Sequence, residues 1–146
     1  MITELNISNF KSLRDVKLKL GPLNLFIGAN ASGKSNFFDA LRVLQGIGNG
    51  YTVSEVFNGR PEDPINSRWQ GIRGGIGKAL YSGCTNEDLK FGTKTSTPLV
   101  PDSCVSYSIE ISTVEKLVRK ELMELITGGK TISLFSISNN PRSMQG

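Results

Sequence analysis

The chain has 146 residues, 38% of them hydrophobic and 21% charged, with 16 glycines and 6 prolines, which is the composition of one folded, loop-rich domain and excludes wholesale disorder. It contains no histidine, which removes Ser-His-Asp and Cys-His catalysis, histidine-ligated zinc and imidazole proton shuttles. The net charge of +4 permits phosphate-bearing partners but falls short of a nucleic-acid-binding signature.

Glu4 follows Met1 closely and polar residues interrupt every apolar run, so neither a signal peptide nor a membrane span can be drawn and a cytoplasmic protein is expected. Cys84 and Cys104 are too few and too far apart in sequence for a metal knuckle or disulfide scaffold, and they suit a reducing compartment. Ile2, Leu5 and Ile7 recur along the first segment, and after a turn-like stretch from Ser8 to Arg14 the run Val16-Lys17-Leu18-Lys19-Leu20 alternates strictly. These two pieces predict an antiparallel pair with Val16, Leu18 and Leu20 facing the core and Lys17 and Lys19 facing solvent. Gly21-Pro22 breaks that strand, and the short apolar run Leu23 to Ile27 predicts a strand buried on both faces of an α/β sheet.

Phe37, Phe38, Leu41 and Leu44 then fall at helical spacing until Gly46, Gly48 and Gly50 stop the pattern, which predicts a helix. From Tyr51 to Pro101 prolines and glycines punctuate short apolar pieces, and irregular structure with one or two short elements is expected. Tyr107-Ser108-Ile109-Glu110-Ile111 alternates as a strand. Beyond it two readings stand: a helix from Val114 to Ile126, with Ser112 and Glu115 spaced as a capping box, or a hairpin of Leu122 to Ile126 and Ile132 to Ile137 around Thr127-Gly128-Gly129-Lys130. The tail Ser138 to Gly146 is polar and expected to fray.

The stretch that carries chemistry is Gly28-Ala29-Asn30-Ala31-Ser32-Gly33-Lys34-Ser35. It matches G-x-x-x-x-G-K-[ST], with the apolar run before it and the amphipathic helix after it supplying the context this motif requires. Gly28 and Gly33 let the backbone wrap phosphate oxygens, successive N–H groups point inward, and the helix N-terminus adds a favourable dipole. Lys34 is placed for the β- and γ-phosphates, and the Ser35 hydroxyl is placed to ligate the Mg²⁺ that bridges them.

On the residues Ile2 to Leu13, with their Asn9-Phe10-Lys11-Ser12 loop, and Leu23 to Phe37, with a loop ending Gly33-Lys34-Ser35-Asn36, the chain resembles the N-terminal lobe of ABC-type AAA ATPases of the SMC, RecF and OLD group. Within that group it is similar to stand-alone ATP-binding proteins of bacterial phage-defence and toxin-associated systems. The resemblance is good over roughly the first 45 residues, while Arg73-Gly74-Gly75 and Tyr107 to Ile111 fit more loosely. It implies an α/β fold, a partial P-loop NTPase lobe carrying an antiparallel β-subdomain, and so favours strands over a helix between Val118 and Ile137. As a single incomplete domain over 1–146, the chain divides into a strand and P-loop unit at 1–50, an irregular insertion at 51–104, strands or strand plus helix at 105–137, and the tail at 138–146.

The resemblance further implies that Asn30, Ser32, Gly33, Lys34, Ser35 and Asn36 line the phosphates of ATP, and that Lys11 approaches the nucleotide from the Phe-Lys-Ser loop. Lys34 is the only catalytic residue the chain itself is read to supply. Hydrolysis also needs a carboxylate for Mg²⁺ and a group that orients water. After Gly50 no run of four apolar residues ends in Asp; Leu99-Val100-Pro101-Asp102 comes nearest, and Pro101 would spoil a central strand. The glycine pairs Gly74-Gly75 and Gly128-Gly129 lack the Ser-Gly-Gly core of an ABC signature. The expected activity is therefore ATP binding. Hydrolysis is expected to require further sequence and a homodimer of nucleotide-binding heads, with DNA or an effector protein as a possible further partner. A non-hydrolysing nucleotide-binding module that partners a complete ATPase is the competing reading. Trp69 with Arg68 and Arg73 is a weak aromatic and basic cluster for nucleic acid, as easily explained as a packed loop.

Overall fold

The computed structural model describes residues 1–63, 67–84, 88–98 and 100–139. β1 (Ile2–Phe10) and β2 (Leu13–Lys19) form a hairpin, as the alternation predicts, with Leu5 opposite Leu18 and Ile7 opposite Val16. Val16 and Leu18 turn inward and Lys17 and Lys19 outward. An exposed stretch follows, then α1 (Lys34–Gly48) and the short α2 (Val53–Asn58). A small two-stranded ribbon of β3 (Arg60–Asp63) and β4 (Ser67–Trp69) precedes a 3₁₀ turn at Ile76–Lys78. The chain closes with β5 (Leu89–Ser96), β6 (Ser103–Ser112), β7 (Leu117–Thr127) and β8 (Lys130–Ser138).

The main sheet has the order β2-β1-β5-β6-β7-β8, and every pairing in it is antiparallel. This overturns the expected α/β lobe built around a P-loop strand. A parallel sheet needs a helical crossover that returns the chain to a strand running the same way. Here the strand that follows the two helices in the main sheet is β5, which pairs antiparallel with β1, and β5 to β8 succeed one another as antiparallel neighbours.

The expected buried strand Leu23 to Ile27 is likewise corrected. Those residues form no strand, and Leu23, Leu25 and Ile27 are 91%, 82% and 85% exposed. An apolar run becomes a buried strand only where neighbours complete its hydrogen-bond ladder, and β1 already pairs with β2 on one edge and β5 on the other. Phe26 alone is gathered in, its ring 4.4 Å from that of Phe37. Phe38, expected on the buried face of the helix, is half exposed and packs edge-on against Phe26.

The core lies where α1 and α2 cover β1, β5 and β6. Leu5, Ile7 and Phe10 of β1, Leu89 and Phe91 of β5 and Ile109 and Ile111 of β6 meet Phe37, Ala40 and Val43 of α1 and Val56 and Phe57 of α2, all buried. β5 contradicts the expectation of irregular structure up to Pro101. Its inward positions Leu89, Phe91 and Thr93 alternate properly, but Gly92 and the threonines dilute the apolar signal. Its outward Lys90 and Lys94 pair with Glu110 and Glu4 across the sheet at 3.4 and 3.1 Å.

Between the two readings of the C-terminal third, the hairpin is the one that forms: Thr127 faces Lys130 across a turn in which Gly128 and Gly129 both have positive φ. Ser112 Oγ accepts the Glu115 N–H at 3.1 Å, so the capping-box spacing makes a turn between β6 and β7 rather than a helix. β8 is exposed along its whole length. Residues 140–146, most of the expected frayed tail, lie outside the described residues, as does Leu99.

The contrast between the two apolar regions is testable by urea unfolding. Phe10 is fully buried and meets Phe91 edge-on at 5.4 Å, so Phe10→Ala should cost about 3–5 kcal/mol. Leu25→Asp, at an 82% exposed position, should change stability by less than about 0.5 kcal/mol; a large loss there would contradict the exposed placement.

Candidate functional site

The glycine-rich segment forms a loop that ends on α1. Gly33 occupies the N-cap position with φ 95 and no side-chain cap hydrogen bond, and the first turn carries no acidic residue. The helix therefore begins with amides that no side chain claims, the arrangement that favours an anion. Gly33 is required by its backbone, since a left-handed conformation is costly for residues with a Cβ. Gly28 is close-packed: a Cβ there would stand 2.6 Å from Ser32 Oγ, so the Ser32 side chain would have to turn away.

Within this loop Lys34 folds back. Its ammonium donates to the carbonyl oxygens of Gly28 and of Ala29, the latter at 2.7 Å, and to Ser32 Oγ at 3.3 Å. The amine thus stands inside the loop's own curve, held by neutral acceptors in place of the anionic ones a phosphate would offer. Asn30, Ser32, Gly33, Lys34, Ser35 and Asn36 line one cleft of about 380 Å³, together with Arg73. Of the residues expected at the site, these six are brought together, Gly28 stands behind them as a partner of Lys34, and Lys11 lines the adjoining cleft with Ser12, Asn36 and Arg73.

The β1–β2 turn is fastened to the loop and helix. Asn36 Nδ2 donates to Ser12 Oγ at 2.8 Å, and Ser12 Oγ lies 3.2 Å from where a Gly33 Cβ would be. Lys11 has φ 52, an uncommon conformation for a lysine that persists where surrounding bonds over-determine it. Its N–H donates to the Ala79 carbonyl at 2.8 Å, and its ammonium donates to Asp39 Oδ2 at 2.6 Å and to the Arg73 carbonyl at 2.9 Å. Arg73 reaches the same Asp39 oxygen at 3.0 Å. Arg73 is carried there by a segment tied down on both sides, Ile72 N–H to Phe57 O at 3.0 Å and Tyr81 N–H to Asn9 O at 2.8 Å.

Sequence reasoning missed Asp39. The signal was present: Asp39 falls inside the apolar stripe of Phe37, Ala40 and Val43, and a carboxylate in a buried stripe requires a cation. The weak nucleic-acid cluster dissolves, because Trp69 is buried, donates its indole N–H to Val56 O at 3.1 Å and packs against Tyr51 at 5.3 Å. A separate cavity of about 720 Å³, largely apolar, lies between the end of α1 and β5 to β8 and contains none of the loop residues. Among the described residues no group of three or more acidic or cysteine side chains is placed to hold a metal ion, and no helix is long and apolar enough to cross a membrane.

Residues 1–68 match the family model of the AAA ATPase domain, a match that spans β1, β2, the glycine-rich loop and both helices. It supports an AAA-type ATPase N-terminal region and, with it, nucleotide binding. No curated protein matches the chain.

The glycines at the two ends of α1, the N-cap Gly33 and the helical Gly48, should respond differently to substitution. Gly33→Ala should lower stability by about 1–2 kcal/mol in urea unfolding, from the left-handed backbone. Gly48, helical with open space around its Cα, should tolerate Gly48→Ala without loss or gain about 0.5 kcal/mol. Equal effects at both positions would contradict this assignment.

Proposed function

We propose that the chain binds the phosphate groups of ATP through the loop from Gly28 to Asn36, with Lys34 and the α1 amides as the principal anion contacts. The observation that carries this reading is the uncapped N-terminus of α1 joined to a loop in which Lys34 is held only by carbonyl and hydroxyl oxygens. The AAA ATPase match over 1–68 supports it independently. Ser35, the first residue after Lys34 in the helix, offers a hydroxyl that would hold Mg²⁺, which when bound would neutralise phosphate charge. The finer resemblance to the SMC, RecF and OLD group, with pairing of two nucleotide-binding heads, belongs to the same proposal.

The chain's own residues perform three tasks in this account. The glycines admit the phosphate chain to the backbone amides. Lys34 exchanges neutral acceptors for phosphate oxygens, so that its ammonium gains a charged acceptor, which favours the bound state. Lys11 and Arg73 line the clefts around the loop's mouth as further positive charge. The reading is one of binding: phosphoryl transfer to water demands in addition a carboxylate for the metal and a group that orients the water, and the carboxylate on α1, Asp39, is engaged by two cations.

Titration of the purified chain with a fluorescent ATP analogue in the presence of Mg²⁺ tests this directly. Lys34→Ala should weaken binding by about ten- to a hundredfold, the range of one lost charge-assisted contact, with an unchanged unfolding midpoint. Equal affinity of the variant and the parent chain would refute the reading.

A further inference from the structure

Asp39 is 6% exposed, lies four residues beyond Ser35 on α1, and bears two cations on one oxygen. A buried carboxylate requires compensation, but one cation would suffice, so the cluster carries a surplus positive charge. The two partners are not equivalent. The Lys11 side chain is 10% exposed and is further bonded to the Arg73 carbonyl, whereas the Arg73 side chain is 65% exposed. Arg73 thus holds Asp39 through one nitrogen while the rest of its fork is open to the cleft it shares with Asn30 to Asn36.

We propose that Asp39 is a positioning residue for polyphosphate binding: it stations Lys11 and Arg73 at the mouth of the loop so that their surplus charge faces the bound anion. The proposal rests on the reading of the loop as a phosphate cradle. Free lysine and arginine side chains lose substantial rotamer entropy when they are ordered on a ligand, and Asp39 orders them beforehand. The effect opposes simple electrostatics. Removing a negative charge beside a cationic site would by Coulomb's law alone tighten anion binding, whereas loss of positioning weakens it.

The test is a double-mutant cycle on the full chain, with ATP and inorganic tripolyphosphate as the two probes and thermal unfolding as the check on folding. Asp39→Asn should weaken both probes by about tenfold, as should Arg73→Gln, and the double variant should bind within about twofold of either single one, because the two substitutions remove one device. Asp39→Glu should restore part of the loss. Unchanged or tighter binding by Asp39→Asn, or losses that simply add in the double variant, would overturn the proposal. Should Asp39→Asn not fold, Arg73→Gln decides alone, since an exposed arginine with no role in positioning charge would leave both affinities unchanged. Lys34→Ala separates the layers: if it binds both probes like the parent chain, the cradle reading fails. If Lys34→Ala loses binding while Asp39→Asn retains it, only the positioning of Lys11 and Arg73 fails.

Discussion

The turn between β1 and β2 is pinned to the first turns of α1, and the geometry of the site depends on that pin. Lys11 reaches Asp39 and Ser12 receives Asn36, so two consecutive turn residues engage two residues three apart on the helix, which lie on one face. The antiparallel sheet is thereby connected to the loop that precedes the helix. Arg73 joins the same carboxylate from a segment 34 residues further along the chain, itself held by Phe57 and Asn9 backbone groups. Three separate stretches converge on one buried oxygen, and the convergence is local to the only strongly polar part of an otherwise apolar helix face.

The rest of the molecule is organised around the covered half of the sheet. Where α1 and α2 lie on β1, β5 and β6, alternation along the strands delivers Leu5, Ile7, Phe91, Ile109 and Ile111 to a common core, and burial of that apolar area stabilises the fold. Toward β7 and β8 burial falls away among the described residues, and Ile132, Leu134, Phe135 and Ile137 are all at least one-third exposed. The segment Leu23 to Ile27 is more open still, tethered through the Phe26 ring. The glycine-rich loop stands between the two regimes: its C-terminal end is fixed by α1 and the β1–β2 turn, and its N-terminal end leads from an exposed chain.

What the sequence made legible follows this division. The β1–β2 pair, α1 and the loop were readable because their signals are local: strict alternation at Val16 to Leu20, helical spacing at Phe37 to Leu44, and glycines where a Cβ would clash or strain. The sheet's topology was not, because whether Leu23 to Ile27 becomes a strand depends on neighbours contributed by distant residues, which periodicity does not encode. β5 was hidden by threonines and Gly92 standing where apolar side chains would announce a strand. The motif marked the loop residues that line one cleft in the structure, yet Asp39 and its two cations required a contact across 28 and 34 residues that no spacing rule contains.

The central claim, that the loop and the pinned turn form one anion site, is tested most directly by amide hydrogen exchange with and without ATP and Mg²⁺. The account predicts that nucleotide slows exchange at residues 28–37 and at Lys11 and Ser12 together, while β6 to β8 exchange at the same rate in both conditions. Unaltered exchange at the loop, or protection confined to β6 to β8, would contradict it.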